Sequence, residues 1–176
     1  PWELVQQWCL ERGKEMPPQE QMGVGMVFLP QDSDKAAIVR QIVEQVLAEE
    51  KLTVLFWREV PVQSEVLGVQ AKGNQPRIEQ VFAECEHLRE DELERHLYRV
   101  GKRMERAIAA RGKEEESNQS RISDFYLCSF SSRTIVYKGM VRSAVLGEFY
   151  CDLKNPDYQS PFAVYHRRFS TNTMPK

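Results

Sequence analysis

The sequence predicts a mixed α/β or α+β layered fold, and three observations support this prediction. Short apolar runs with the composition of β-strands are interleaved with about four stretches whose apolar residues recur at helical spacing. Two of the apolar runs are separated only by residues 131–133, which is typical of an antiparallel hairpin. The 176 residues are 41% hydrophobic and 28% charged, which suits one globular domain.

The N-terminal half is predicted to alternate helix and strand. The first helix is expected because Trp2, Val5 and Cys9 share one face. Asp32 or Ser33 supplies the cap of the second helix, which carries a broad apolar stripe. The predicted elements are helix 1–10, strand 23–29, helix 34–50 and strand 52–60, and the two strands end at Pro30 and Pro61.

The C-terminal half contains the clearest helix, predicted over residues 90–110. Its core side is formed by Leu93, Leu97, Val100, Met104 and Ile108. Residues 112–123 are polar and charge-dense and are predicted to form a surface loop. The other predicted elements are strand 77–83, hairpin strands 124–130 and 134–140, helix 140–146, a turn at 155–157 and a final strand 162–169.

Composition excludes several classes of function. The net charge of −2 offers no electrostatic basis for binding nucleic acid or an anionic membrane surface. No apolar run approaches the 18 residues that a bilayer span needs, and no signal peptide is visible. The four cysteines have no CxxC spacing and are expected to be reduced thiols without a metal. His87 and His96, near the charged helix, are expected to be solvated.

The stretch FAVYHRRFSTN, residues 162–172, carries the candidate binding groups. It is predicted to be a strand that ends in two arginines and then enters a polar loop. Arg168 offers a planar fork that fits a carboxylate through two parallel hydrogen bonds, and Ser170 and Thr171 add hydroxyl donors. These residue types predict an anion or amino-acid clamp. The alternative is that the arginines are solvated at the end of a sheet.

Five runs of the sequence carry a resemblance to a known family. They are GVGMVFLP, LTVLFWREVPV, FYLCSFSSRTIVYKGM, GEFYCDL and YHRRFSTNTMPK, and they extend in this order from Gly23 to Lys176. Together they resemble the class II glutamine amidotransferase region of glutamate synthase. The opening PWEL resembles the ferredoxin-dependent branch of that family.

The resemblance implies a fold and a source for the nucleophile. It implies the N-terminal-nucleophile hydrolase fold, an α+β four-layer αββα sandwich, of which residues 1–176 would be one partial domain. Members of the family hydrolyse glutamine with a cysteine at the mature N-terminus, where the free α-amino group serves as its base. Pro1 is not a cysteine, and none of the four cysteines is followed by Gly. We therefore expect no catalytic residue in this segment, the nucleophile upstream of Pro1 and the oxyanion-hole Asn-Gly pair after Lys176.

The resemblance also implies which residues bind the substrate. The family's motif is His, a variable residue, Arg, an aromatic residue, a small residue and Thr, and it maps to residues 166–171. Arg168 takes the position that holds the substrate α-carboxylate. Ser170, Thr171 and Asn172 take neighbouring positions of the same pocket. Arg167 is expected to point the other way along the predicted strand.

The implied function is part of the glutaminase domain of a glutamate synthase. The whole enzyme would release ammonia from glutamine and transfer it reductively to 2-oxoglutarate, with electrons from ferredoxin or from a NAD(P)H-oxidising subunit. FMN and an iron–sulfur cluster would lie in other domains, and none in this segment. A cytoplasmic location, or the plastid stroma, is expected. The alternative is a non-catalytic module that binds an amino acid or docks a partner.

Overall fold

A computed structural model describes residues 2–113, 121–139 and 141–166 of the chain. In these residues four strands form one antiparallel sheet in the order β2–β3–β1–β4. The strands are β1 (Met22–Leu29), β2 (Thr53–Glu59), β3 (Arg77–Glu84) and β4 (Tyr126–Ser131). The helices are α1 (Trp2–Glu11), α2 (Ser33–Glu49), α3 (Val69–Gly73), α4 (Glu90–Gly112) and α5 (Ser143–Phe149).

Helices α2 and α4 cover one face of the sheet. Asp32 caps α2 as predicted, because its carboxylate accepts the backbone N–H groups of Asp34 and Lys35 at 3.0 Å. The two helices and the sheet enclose the largest apolar core. The predicted apolar side of α4 is confirmed, since all five of its residues are buried: Leu93, Leu97, Val100, Met104 and Ile108. This layer therefore supports the sheet from behind and leaves its other face for α1 and the C-terminal segments.

The opposite face of the sheet carries aromatic residues and two smaller cores. Phe56 of β2 stacks on Phe82 of β3 with ring centroids 4.5 Å apart, and Trp8 of α1 meets Phe82 edge-on at 6.0 Å. Beside them, Phe149 and Tyr150 at the end of α5 pack with Met26, Val60 and Ile78. Residues 134–139 and 141–158 thus cross this face next to α1.

The predicted hairpin is only half formed. β4 is present and pairs with β1, but residues 134–139 have no strand partner, so the prediction of a second strand is wrong for them. Here serine hydroxyl oxygens, and not the backbone of a partner strand, accept the backbone hydrogen bonds. Ser131 Oγ accepts the backbone N–H groups of Arg133 and Thr134 at 3.0 and 3.1 Å, and Ser129 Oγ accepts that of Val136 at 3.1 Å. These bonds satisfy backbone donors locally, and the chain leaves the sheet.

The predicted final strand is also absent over residues 162–166. This segment has no regular secondary structure, and Phe162, Val164 and Tyr165 are 72%, 89% and 84% exposed. The alternation of residue types is strand-like, but no strand among the described residues runs beside it to accept and donate backbone hydrogen bonds. Residues 167–169 of the prediction lie outside the described part.

Two residues expected to be solvated are buried. His96 of α4 is only 7% exposed, because its Nε2–H donates to the Glu50 carbonyl oxygen (3.0 Å) where α2 ends. Ile122, in the segment predicted as a polar loop, is 1% exposed and joins the main core from a 3-10 turn at Ile122–Asp124. Helix α5 begins three residues later than predicted, at Ser143.

Glu94 of α4 anchors the turn that follows β4. Its carboxylate accepts Ser131 Oγ at 2.6 Å, Ser132 Oγ at 2.8 Å and the Ser132 backbone N–H at 2.9 Å. Burial opposes ionisation of Glu94, but these hydrogen bonds outweigh it and lower its pKa. The ionised form of Glu94 is therefore favoured in the folded protein.

We expect Glu94→Gln to destabilise this turn by about 1 kcal/mol near neutral pH, because charge-assisted bonds become neutral ones. A lowered carboxyl pKa adds stability above the unfolded pKa, and this stability is lost as the pH falls through the folded pKa. The difference between the variant and the parent should therefore shrink as the pH falls from 7 towards 3. Hydrogen exchange of the amides of residues 131–134 in the intact protein measures this difference in the stability of the turn. Glu92→Gln, at an exposed position on the same helix, is the control.

Candidate functional site

The residues predicted to bind substrate lie beyond the described part of the chain. Arg168, Ser170, Thr171 and Asn172 fall within residues 167–176, so their geometry stays a prediction. His166, the first residue of the motif, is exposed at the end of the irregular segment 162–166. The structure does describe the residues that hold the chain just before this segment.

A buried ion pair joins β2 to the chain after α5. Arg58 donates to both carboxylate oxygens of Asp152, at 2.8 and 2.5 Å. The Arg58 side chain is 11% exposed and that of Asp152 4%, so the pair is almost fully withdrawn from water. Residues 58 and 152 are 94 positions apart in the chain. This fork-to-fork pair therefore fixes the 3-10 turn Cys151–Lys154 against the edge of the sheet.

Two tyrosine hydroxyls complete the arrangement. Tyr137 OH donates to Asp152 Oδ2 at 2.7 Å, and the hydroxyl oxygens of Tyr137 and Tyr158 lie 2.9 Å apart. Because Tyr137 has one proton and gives it to Asp152, Tyr158 is the donor in the second bond. The two rings meet edge-on with centroids 6.0 Å apart. Asp152 is thus linked to two further segments of the chain.

Strand β3 and helix α1 contact the remaining sides of Arg58. Arg58 also donates to Gln80 Oε1 of β3 at 2.9 Å, and Gln80 is fully buried. The guanidinium carbon of Arg58 lies 4.1 Å from the ring centroid of Trp8, a cation–π contact. We call Trp8, Arg58, Gln80, Tyr137, Asp152 and Tyr158 the Arg58 network.

The electrostatics of the Arg58 network favour one charge state. Burial by itself would lower the pKa of Arg58, but the hydrogen bonds and charge of Asp152 reverse this and raise it. Burial raises the pKa of Tyr137, and the neighbouring Tyr158 and Asp152 raise it further. Burial also raises the pKa of Tyr158. The tyrosines are therefore neutral hydrogen-bonding groups, and the network is suited to holding chain segments together and not to proton transfer.

Two of the four described cysteines have a raised pKa. All four are free thiols: Cys9, Cys85, Cys128 and Cys151. Burial raises the pKa of Cys9, and it raises the pKa of Cys128 to about 12. At neutral pH such thiols stay protonated.

Residues 2–113, 121–139 and 141–166 contain neither a metal-binding cluster nor a membrane-spanning helix. Within these ranges no three His, Cys, Asp or Glu side chains are placed to hold a metal ion. None of the described helices is both long and apolar enough to cross a bilayer. The sequence had not singled out Arg58, Asp152 or Tyr137 as a group. The signal that could have singled out Arg58 is a charged residue that directly follows the apolar run 54–57 of β2.

Comparison with known proteins identifies the family. The family model described as "Glutamine amidotransferases class-II" matches residues 1–176. The chain belongs to the class II glutamine amidotransferase family. This confirms the resemblance seen in the five sequence runs. It also places the chain among N-terminal-nucleophile hydrolases, a class with which the observed mixture of helices and one antiparallel sheet is compatible.

The similar proteins indicate the branch of the class II glutamine amidotransferases. The chain is 58% identical to "Ferredoxin-dependent glutamate synthase 2" of Synechocystis sp. over 177 residues, 48% to "Ferredoxin-dependent glutamate synthase" of Pyropia yezoensis over 176, and 45% to the chloroplastic "Ferredoxin-dependent glutamate synthase" of Oryza sativa subsp. japonica over 177. Each alignment covers 100% of this chain but only 10%, 11% and 10% of the relative. The predicted resemblance to the ferredoxin-dependent branch is confirmed. The chain spans about a tenth of the length of these relatives.

Proposed function

We propose that this chain is part of the glutaminase domain of a ferredoxin-dependent glutamate synthase. The intact protein would hydrolyse glutamine to glutamate and ammonia and transfer the ammonia reductively to 2-oxoglutarate. The observation that carries the proposal is similarity along the whole chain, at 58% identity, to a protein named for that activity. The family match, which covers residues 1–176, supports the glutaminase part.

Arg168 would hold the α-carboxylate of glutamine, with Ser170, Thr171 and Asn172 lining the same pocket. Three properties support this assignment. The segment HRRFSTN fits the family's motif residue by residue. A guanidinium is the side chain best suited to bind a carboxylate through two bonds. Residues 162–165, which precede the motif, and its first residue, His166, are exposed, so the chain enters the motif at the surface of the described part.

The four-layer αββα sandwich remains our proposal for the fold of the whole domain. The described residues form one helical layer, α2 and α4, and one antiparallel sheet. The other face of this sheet carries stacked aromatic residues and apolar side chains, against which α1 packs, and a second sheet is not among the described residues. Residues 1–176 would then be one partial domain whose nucleophile segment precedes Pro1.

The intact protein would need partners and cofactors beyond this segment. Ferredoxin is the proposed electron donor, since the relatives are named for it. FMN and an iron–sulfur cluster would be bound by other domains and would supply the electron transfer that reduces the adduct of ammonia and 2-oxoglutarate. A cytoplasmic or plastid-stromal location is proposed, because relatives come from a cyanobacterium and from chloroplasts.

Selective loss of one of two activities tests the proposal. The intact protein, sequenced at its mature N-terminus, should begin Cys-Gly. Changing that cysteine to alanine should abolish glutamine-dependent glutamate formation, because the nucleophile is gone, while glutamate formation from added ammonia continues. A protein without an N-terminal cysteine that still binds glutamine would instead support the non-catalytic module. Loss of both activities in a folded variant would contradict the assignment.

A further inference from the structure

The outward face of α4 carries a row of basic side chains. They follow one another at spacings of four, three and four residues, which places them along one side of the helix, and we call them the basic stripe: Arg95, Arg99, Lys102 and Arg106. All four are exposed, and their side of the helix is opposite to the apolar side that faces the core. At 1.5 Å per residue the basic stripe is about 16 Å long.

The described part of the chain does not neutralise the three arginines of the basic stripe. Lys102 pairs with Glu105 at 2.7 Å, but no carboxylate of residues 2–113, 121–139 and 141–166 forms an ion pair with any of these arginines. Arg103, on the same helix but outside the stripe, is paired with Glu49 and Glu50 of α2 and its C-cap. The stripe therefore differs from its surroundings in keeping its positive charge.

Two of these arginines have neighbours that hold or attract them without cancelling their charge. Arg99 donates to Nδ1 of His96 at 3.1 Å, and the acceptor is a neutral imidazole because its other nitrogen carries the proton. Arg95 and Arg99 interact with Asp91 and Glu50 only at longer range. The guanidinium groups thus remain available to an anion from outside.

An apolar hollow lies beside the basic stripe, between α4 and β4. Its volume is about 500 Å³, and it is lined by Glu94, Arg95, Tyr98, Arg99 and Phe130. Tyr98 is 66% exposed, whereas Phe130 is 8% exposed. The carboxylate of Glu94 is already hydrogen-bonded to the turn after β4. An exposed tyrosine beside arginines and an apolar floor is the composition that dominates binding between proteins.

The acidic first turn of α4 limits where an anionic partner can lie. Glu90, Asp91 and Glu92 precede the basic stripe, and all three are exposed. Like charges placed opposite one another repel, so these carboxylates exclude an acidic partner from the start of the helix. The favourable region is therefore confined to residues 95–106 and the hollow.

We propose that the basic stripe and the hollow form a docking surface for an acidic segment of a protein partner. Carboxylates of the partner would pair with the three arginines, whose planar forks fit them, and one large apolar side chain would fill the hollow against Tyr98 and Phe130. A protein segment fits better than nucleic acid or an anionic membrane, because the net charge of −2 opposes an extended polyanion and the hollow suits an apolar side chain. The inference does not involve glutamine, so it stands or fails independently of the proposed function.

A designed peptide tests the inference on the intact protein. The probe is a fluorescein-labelled helical peptide of about four turns, with glutamates along one side and a phenylalanine at the centre of that side. Fluorescence anisotropy measures its Kd. We expect saturable binding that weakens at least about fivefold when glutamine replaces the glutamates or alanine replaces the phenylalanine. Binding should also weaken as the salt concentration rises from roughly 0.05 to 0.5 M. Absence of saturable binding at the lower salt concentration would overturn the inference.

Arg106→Glu and Tyr98→Ala locate the binding on α4. Both positions are exposed, so the folded protein should be retained. We expect each variant to raise the Kd of the acidic peptide about fivefold or more, because one reverses a charge of the stripe and the other removes a wall of the hollow. Lys72→Glu on α3 is the matched control, since it makes the same change of charge at another exposed position. Its Kd should stay within about twofold of the parent value. Equal weakening by Arg106→Glu and Lys72→Glu would show that only net charge matters and would overturn the inference.

Other occupants of this surface would give different results. Sedimentation of the intact protein over a range of concentrations tests a second copy, and self-association that Arg106→Glu abolishes would assign the surface to that copy and overturn the inference. Fluorescein-labelled poly(U) and vesicles of phosphatidylserine and phosphatidylcholine test the other polyanions. Binding of either one that is tighter than binding of the acidic peptide, and that Arg106→Glu weakens, would overturn the assignment to a protein partner.

Discussion

Arg168→Ala in the intact enzyme is expected to raise the glutamine KM by about 10- to 100-fold while ammonia-dependent glutamate synthesis persists. The magnitude follows from the proposed contact. A hydrogen-bonded pair of opposite charges contributes about 1.5–3 kcal/mol, and each 1.4 kcal/mol is a factor of ten in affinity. Ammonia enters after glutamine has been hydrolysed, so the reaction that starts from ammonia does not need the arginine. Steady-state kinetics with each nitrogen source measures both quantities.

Arg167→Ala is the control for this prediction. It removes the same side chain one position earlier, at the variable position of the family's motif, which the resemblance does not assign to the substrate. The account expects its glutamine KM to stay within about twofold of the parent value. Equal effects of the two variants would mean that the positive charge of the segment matters and the fork of Arg168 does not.

Leu97→Ala is expected to destabilise the described core by about 3 kcal/mol. Leu97 lies on α4 and is completely buried. A Cβ placed on Gly23 of β1 would lie 2.7 Å from a Leu97 methyl carbon, so the leucine packs directly on backbone that has no side chain. A strand backbone cannot move into the space that the leucine leaves, and the cavity should persist.

Hydrogen exchange of the intact protein measures the effect of Leu97→Ala as faster exchange of the amides of β1 and α4. Tyr98→Ala is the control, since Tyr98 follows Leu97 on the same helix and is 66% exposed. It should change protection by less than about 0.5 kcal/mol. Because alanine is the best helix former, helix propensity would not explain a loss in either variant, and similar losses would mean that the packing of Leu97 in the core does not set the stability of α4.

The sequence predicted best the elements whose apolar residues have a clear helical spacing or a clear strand composition. Helices α2 and α4 and strands β1 to β3 appear within about two residues of their predicted bounds. The helices have apolar residues at helical spacing, and the strands are short β-rich runs, two of which end at Pro30 and Pro61. The same reasoning failed at residues 134–139 and 162–166. There the residue types are strand-like, but a strand also needs a partner, and that partner is not a local property.

In the candidate site, residues close together in sequence were predicted, and contacts between residues distant in sequence were not. Arg168 was predicted from a motif, because the residues that bind a small anion are close together in sequence. The pairing of Arg58 with Asp152 was not predicted, since residues 94 positions apart meet only after the sheet and the segment after α5 have formed. His96 was missed for a related reason, because its burial depends on where α2 ends.

Arg168 is proposed to bind the carboxylate of glutamine, and the affinities of two ligands that differ in this group show whether it does. In an intact enzyme whose N-terminal cysteine is replaced by alanine, calorimetry compares L-glutamine with L-glutamine α-amide, which lacks the carboxylate charge. We predict that L-glutamine binds about 10- to 100-fold more tightly than the amide, and that Arg168→Ala removes this preference. An undiminished preference for the carboxylate in the Arg168→Ala protein would contradict the account.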